Sequence, residues 1–189
     1  MIGLVVLLAV AALVLFWAIA AYNRLIGLRN QTENGWKQID VQLKRRHDLV
    51  PNLVETVRGA MEFERDTLTA VMEARSRAVS ASGPAQAGKA EGELTQALGR
   101  LFAVAENYPQ LTANQNVKML QEELVATENK VGFARQFYND IATKFNIARE
   151  TFPSNLIAGA FNFVRAELFE ITDPGERAVP KVDLSIRKP

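Results

Sequence analysis

The chain has 189 residues, with 22 basic and 21 acidic side chains and a net charge of +1, so nothing global in it points to nucleic acid. It contains no cysteine, which excludes disulfides, thiolate metal sites and a cysteine nucleophile. Its single histidine restricts any triad or imidazole–metal chemistry to one position, His47.

Residues 2–21 read IGLVVLLAVAALVLFWAIAA, without a charge, a proline or a polar side chain. At about 1.5 Å per residue such a helix reaches roughly 30 Å, the thickness of a bilayer's hydrocarbon core. The expectation is a single-pass anchor over residues 1–22. Two other readings compete with it. Ala18-Ile19-Ala20 has the small-x-small form of a signal-peptide cleavage site, but no basic residue precedes the run, which is longer than a usual signal core. A buried core helix seldom needs so many uninterrupted apolar residues. Arg24, Arg29 and Lys37 follow the span closely, so the positive-inside rule places the N-terminus outside and the body in the cytoplasm, at the cell inner membrane. Trp17 and Tyr22 stand where an interfacial aromatic belt would be.

The rest reads as helix, an antiparallel four-helix bundle over residues 23–153 with long, coiled-coil-like helices. Leu28, Thr32, Trp36, Ile39, Leu43, Arg46 and Val50 make a near-heptad stripe. Asp48 can cap a new helix with Pro51 in its first turn, which predicts a reversal near His47-Asp48; a kinked continuous helix through Pro51 is the alternative. The second helix is expected over about 49–80, with Leu53, Val57, Met61, Leu68, Met72 and Val79 inward. SASGPAQAGKAEGE, residues 80–93, is small and Gly/Pro-bearing and reads as a loop. A third helix follows over about 91–107.

The fourth helix has the cleanest signal. Val117, Leu120, Leu124, Thr127, Val131, Ala134, Tyr138, Ile141, Phe145, Ala148 and Phe152 alternate steps of three and four without a break. Phe152-Pro153 closes it, and Ser154 caps a fifth helix to about residue 170. Helix one leaves the membrane and helix four returns to it, so this fifth segment should lie near the bilayer surface. On a wheel Leu156, Ile157, Ala160, Phe161, Phe163, Val164 and Leu168 share one face, opposite Asn155, Asn162, Arg165 and Ala166. Leu156, Ile157, Phe161, Phe163, Val164 and Leu168 are therefore candidates for a membrane or subunit contact, against a plain lid over the bundle's end. The tail, 172–189, with three prolines, reads as flexible, or as a docking strand built on Val179, Val182, Leu184 and Ile186.

No catalytic group set is visible. HExxH, P-loop, GxGxxG and GxSxG are absent. His47 follows Lys44-Arg45-Arg46 and reads as a surface or turn residue, and the three cations as a solvated run. The notable side chains are polar ones at bundle-facing positions: Arg46, Glu64, Arg75, Glu128, Arg135 and Tyr138. An unpaired charge in a core costs several kcal/mol, so these either pair as a register-fixing network or line a polar cleft for a peptide or small anion.

Several segments are recognisable: Tyr22-Asn23-Arg24-Leu25, the block WKQIDVQLKRRHDLVPNLVETV from Trp36 to Val57, Ala74-Arg75, Asn107-Tyr108-Pro109, Leu120-Gln121-Glu122-Glu123-Leu124, Thr127-Glu128-Asn129, Ala134-Arg135, Tyr138-Asn139, Phe152-Pro153 and Pro180-Lys181-Val182-Asp183. In these the chain resembles the LemA family of bacterial membrane proteins over nearly its whole length. It departs at Met61 and Leu184, where the family often has an aromatic. The resemblance implies an N-terminal membrane anchor and an antiparallel helical bundle. It brings no established activity, cofactor or catalytic residue.

The expected function is a non-enzymatic, membrane-anchored helical scaffold that self-assembles as a homo-oligomer or recruits envelope proteins. Its expected partners are the lipid bilayer and a membrane protein, with no nucleic acid, cofactor or metal. The alternatives are a ligand or peptide sensor using the polar cleft, and a membrane-remodelling protein acting through residues 154–170.

Overall fold

The structure, a computed structural model, describes residues 1–171; both expectations for the tail lie outside the described residues. Six helices occur among them: α1 (Ile2–Arg58), α2 (Arg65–Ser80), α3 (Gly83–Ala105), α4 (Pro109–Thr112), α5 (Gln115–Glu150) and α6 (Ser154–Ala160). The described residues contain no strand.

α1 sets the frame. Its 57 residues run unbroken from the apolar stretch into the body, about 85 Å at helical rise. Residues 1–17 are all exposed, and none of the apolar window is buried in the chain. A core helix would bury these side chains against the protein, so that reading is removed. α1 is the one helix among the described residues long and apolar enough to cross a membrane.

The reversal expected at His47-Asp48 does not occur. Pro51 lies inside α1, which continues to Arg58, so residues 49–58 belong to the first helix and not the second. The turn comes at residues 59–64, and α2 starts only at Arg65.

α5 packs antiparallel along α1. Leu25 and Phe145 share one apolar cluster, Trp36 and Tyr138 lie with ring centroids 5.8 Å apart, and Arg45 reaches Glu123 at 3.1 Å. Asn114 caps α5, its side chain accepting from the Asn116 and Val117 amides at 2.9 and 3.4 Å. α2 and α3 form a shorter hairpin over the half of that pair remote from the apolar stretch. Leu53, Val57, Met61, Leu68, Val71, Leu94 and Leu101 fill the core beneath it.

The segment read as a loop is mostly helix. Only Ala81 and Ser82 separate α2 from α3, which starts at Gly83 with Pro84 in its first turn. Its small residues serve packing. A Cβ at Gly88 would overlap the carbonyl of Glu170, so the glycine lets a crossing chain lie directly on the helix.

That crossing chain is the second departure. The fifth helix ends at Ala160, not near 170. Asn162 adopts φ 51°, Phe163 N–H donates to Ala158 C=O at 3.0 Å, and Asn162 N–H lies 3.4 Å from Gly159 C=O. This is a Schellman cap, with Asn in the left-handed position that glycine usually takes. Residues 163–171 then run extended along α5, covering the half of the rod that the hairpin leaves open. The wheel drawn over 154–170 therefore does not exist as one face. Phe163 and Phe169 are buried, Ile157 and Leu168 are half-buried, and Leu156, Phe161 and Val164 are exposed.

An extended backbone on a helix has no ladder partner, and side chains of α5 replace one. The Asn139 amide donates to Phe169 C=O at 3.0 Å and accepts from Phe169 N–H at 2.9 Å. Asn146 does the same for Ala166, at 2.9 Å both ways. Seven helical residues span about 10.5 Å and three extended residues about 10 Å, so the two periods match. Tyr138 adds its hydroxyl, donating to Glu167 C=O at 2.6 Å, and Arg149 donates to Phe163 C=O at 2.7 Å.

Burial, and secondarily the Glu167 carboxylate, push the Tyr138 phenol up to about 12 from its ordinary 10.0. The folded state thus holds this proton more tightly than the unfolded chain. The stabilisation is complete below pH 10 and fades as pH rises toward 12. Tyr138→Phe should cost about 1 kcal/mol near neutral pH, and its deficit relative to wild type should shrink across that window. Urea unfolding midpoints of both proteins at neutral and high pH check this; a constant difference would contradict it.

Candidate functional site

The polar side chains singled out by position fall into separate groups. Arg46 and Glu128 meet. Arg75 lies beside them, bound to the main chain of His47. Glu64 sits toward the end of the rod remote from the apolar stretch, accepting from Tyr108 Oη at 3.1 Å; desolvation and then Glu64 raise that phenol's pKa. Tyr138 belongs to the contacts that hold the extended residues 163–171, the strap, along α5. Arg135 lines a shallow groove with Asn139, Asp140 and Glu170.

The cluster centres on Arg46, a core position of α1's apolar stripe. Its Nη1 donates to Glu91 Oε2 at 2.8 Å and its Nη2 to Thr95 Oγ1 at 2.9 Å. Glu128 Oε2 lies 2.8 Å from Nη2, but neither Glu128 Oε2 nor Arg46 Nε has a hydrogen-bond partner. The Glu128 contact is therefore an ion pair by proximity rather than an aligned hydrogen bond. His47 Nε2 meets the other oxygen of Glu91 at 2.5 Å. Glu91 is wholly enclosed, with both oxygens engaged.

His47 is thus a buried partner, not a surface or turn residue, and Arg46 is buried rather than part of a solvated run. The cause is the unbroken α1. With no reversal, residues 46 and 47 stay mid-helix and face α3. Glu91 and Thr95, four apart on one face of α3, were not found by sequence reasoning, because Glu91 fell in the presumed loop. One signal was available: a core position occupied by Arg demands a buried carboxylate elsewhere.

Pro51 couples to the same cluster. A helical proline has no N–H to give the carbonyl four residues earlier, here that of His47. Arg75 Nε donates to this carbonyl at 2.7 Å. α2 thereby supplies the hydrogen bond that α1 cannot make for itself.

Chemically the cluster locks α1, α2, α3 and α5 together. No group of three His, Cys, Asp or Glu residues among the described residues is placed to hold a metal. A groove of about 730 Å³ lies elsewhere, between the end of α1 and α2. Val54, Met61, Leu68 and Met72 line it, with Arg58 and Arg65 at its edge.

The LemA family model matches residues 35–184, which includes α2 to α6, the strap and all of the cluster. The chain belongs to the LemA family. It is similar to Magnetosome protein MamQ 2 of Paramagnetospirillum magneticum, with 26% identity over 184 residues, covering 84% of this chain and 68% of the relative. Magnetosome protein MamQ of Magnetospirillum gryphiswaldense is 24% identical over the same coverage. Protein LemA of Metamycoplasma hominis is 24% identical over 155 residues, 80% of this chain and 69% of the relative.

Glu91→Leu should destabilise the fold by about 3–5 kcal/mol, because it strands Arg46 in the core. Adding Arg46→Met should restore most of that loss. Thermal unfolding of the full chain in detergent reads both, and equal midpoints for the single and double variants would refute the pairing.

Arg75→Met should cost about 1–3 kcal/mol in the native sequence and clearly less in a Pro51→Ala background, where the backbone N–H restored at position 51 serves the His47 carbonyl. A double-mutant cycle on unfolding free energy measures the difference; a coupling near zero would exclude the link.

Proposed function

We propose that this chain is a non-enzymatic membrane-anchored scaffold, a rigid helical post that recruits envelope proteins or further copies of itself. One observation carries the reading. The bilayer-length apolar stretch stands wholly outside the body, yet belongs to the same unbroken helix that forms the body's spine. A continuous helix transmits position and orientation where a linker would not, so the anchor fixes the height at which every face of the body is displayed.

A second reading concerns the membrane-proximal end. Phe152, Leu156, Phe161 and Val164 are exposed there, and the Phe161 ring lies 4.7 Å from that of Tyr22, which closes the apolar run. With residues 2–21 in the hydrocarbon core, this collar meets the headgroup layer, where aromatic side chains are favoured. The collar supports membrane contact, and through it membrane remodelling, over the subunit contact. The sensor reading has weaker support. Glu91 and Glu128 already hold Arg46, and Arg135 lines only a shallow groove. The positive-inside rule puts the body in the cytoplasm, on the inner membrane.

The absence of native cysteine makes single-cysteine variants clean reporters. Phe63→Cys, at the exposed distal tip, should resist a membrane-impermeant maleimide in intact bacterial cells and react once the inner membrane is opened. A polarity-sensitive dye at Phe161→Cys should emit as if in the lipid interface, and one at Phe63→Cys as if in water. Mature protein beginning at Ala21 that washes off with carbonate would overturn the proposal.

A further inference from the structure

The α2–α3 hairpin and the strap cover one side of the α1–α5 pair. The opposite side is open, and a groove of about 560 Å³ runs along it between the two helices. Its floor carries Val41 from α1 and Phe133 and Phe137, one helical turn apart, from α5. All three are exposed, Phe133 by 76%. Lys37 and Lys130 flank this floor from the two helices, and neither has an acidic partner among the described residues, whereas Arg45 and Glu123 neutralise each other nearer the tip.

We infer that this groove docks an acidic amphipathic helix of another protein, with its apolar face on Phe133, Phe137 and Val41 and its carboxylates on Lys37 and Lys130. The inference rests on the scaffold reading and names the recruiting face. Two alternative occupants fit less well. Lipid headgroups are too far away: Lys37 lies about 24 Å of helix beyond the apolar run, several times the roughly 8 Å screening length in physiological salt. A second copy docking through the same face would set lysines against lysines. A third helix laid in the cleft of an antiparallel pair is, by contrast, the ordinary way for an apolar groove of this shape to be filled.

The test uses the full chain in lipid nanodiscs and three fluorescent helical peptides: an acidic amphipathic one, its basic counterpart with Lys for Glu, and an acidic peptide with its apolar positions scrambled. The acidic amphipath should bind best. Phe133→Ser should weaken it by about tenfold or more. Lys37→Glu with Lys130→Glu should transfer the preference to the basic peptide. These positions are exposed, so unchanged thermal midpoints confirm that the variants fold. Equal binding of the scrambled peptide, or indifference to the charge reversal, would overturn the inference. Photo-cross-linkers in place of Phe133 and of Phe63, in cells, separate this claim from the broader one. Heterologous products at position 133 that the charge reversal abolishes support the groove. Products only at position 63, or only self-cross-links at 133, refute the groove and leave the scaffold standing. No product at either position removes both.

Discussion

A proline in the middle of a long helix leaves one carbonyl without its donor, and this fold is arranged around that vacancy. Pro51 cannot serve the carbonyl of His47, and Arg75 of α2 does so at 2.7 Å. The consequences follow in order. α1 need not break, so it reaches Arg58. Arg46 and His47, on the turn before the proline, are kept inside the bundle, where α3 must meet them with Glu91 and Thr95. The hairpin α2–α3 is tied to α1 by a cation from α2 and a carboxylate from α3 on adjacent residues of one helical turn.

The parts of the fold legible in the sequence are those set by periodicity. The α5 seam from Val117 to Ala148 can be read directly, because each position repeats at the spacing that packing requires. The apolar start of α1 is equally plain. What could not be read depends on partners distant in sequence. Pro51 carries the same local signal whether or not Arg75 waits 24 residues further on. Gly88 and its small neighbours look like a loop until Glu170 is seen lying on them. Asn162 ends the helix in the left-handed conformation, but it reads as one more polar-face residue because the apolar residues beyond it keep helical spacing, although only Phe163 and Phe169 among them are buried. Within the site, Arg46 and Glu128 were identifiable as charges facing the core. Glu91 and His47 were not, since local sequence places each of them outside it.

The strap shows how a helix can act as a sheet edge. Asparagine carries a donor and an acceptor on one planar group, the same pair that a neighbouring strand would offer. Asn139 and Asn146, a heptad apart on α5, meet Phe169 and Ala166, three apart on the strap. Because both spacings are near 10 Å, no residue of either element is strained to make the fit. Tyr138 and Arg149 serve two further carbonyls, those of Glu167 and Phe163. An otherwise irregular segment is held along the rod without any secondary structure of its own.

These polar contacts also answer a problem that long apolar seams create. Two antiparallel helices joined by heptad packing are nearly as well satisfied after a slip of seven residues, about 10.5 Å. Apolar contacts alone distinguish such registers weakly. A slip of that size would carry Glu128 away from Arg46 and leave a guanidinium in the core facing Glu91 alone, and it would place both asparagines opposite the wrong carbonyls. Arg46 keeps Glu91 through such a slip and Glu128 is partly exposed, so the penalty falls mainly on the two asparagines, which would leave the Phe169 and Ala166 main-chain groups without their partners. One register gives each side chain of the body a defined distance along the rod from the end of the apolar run.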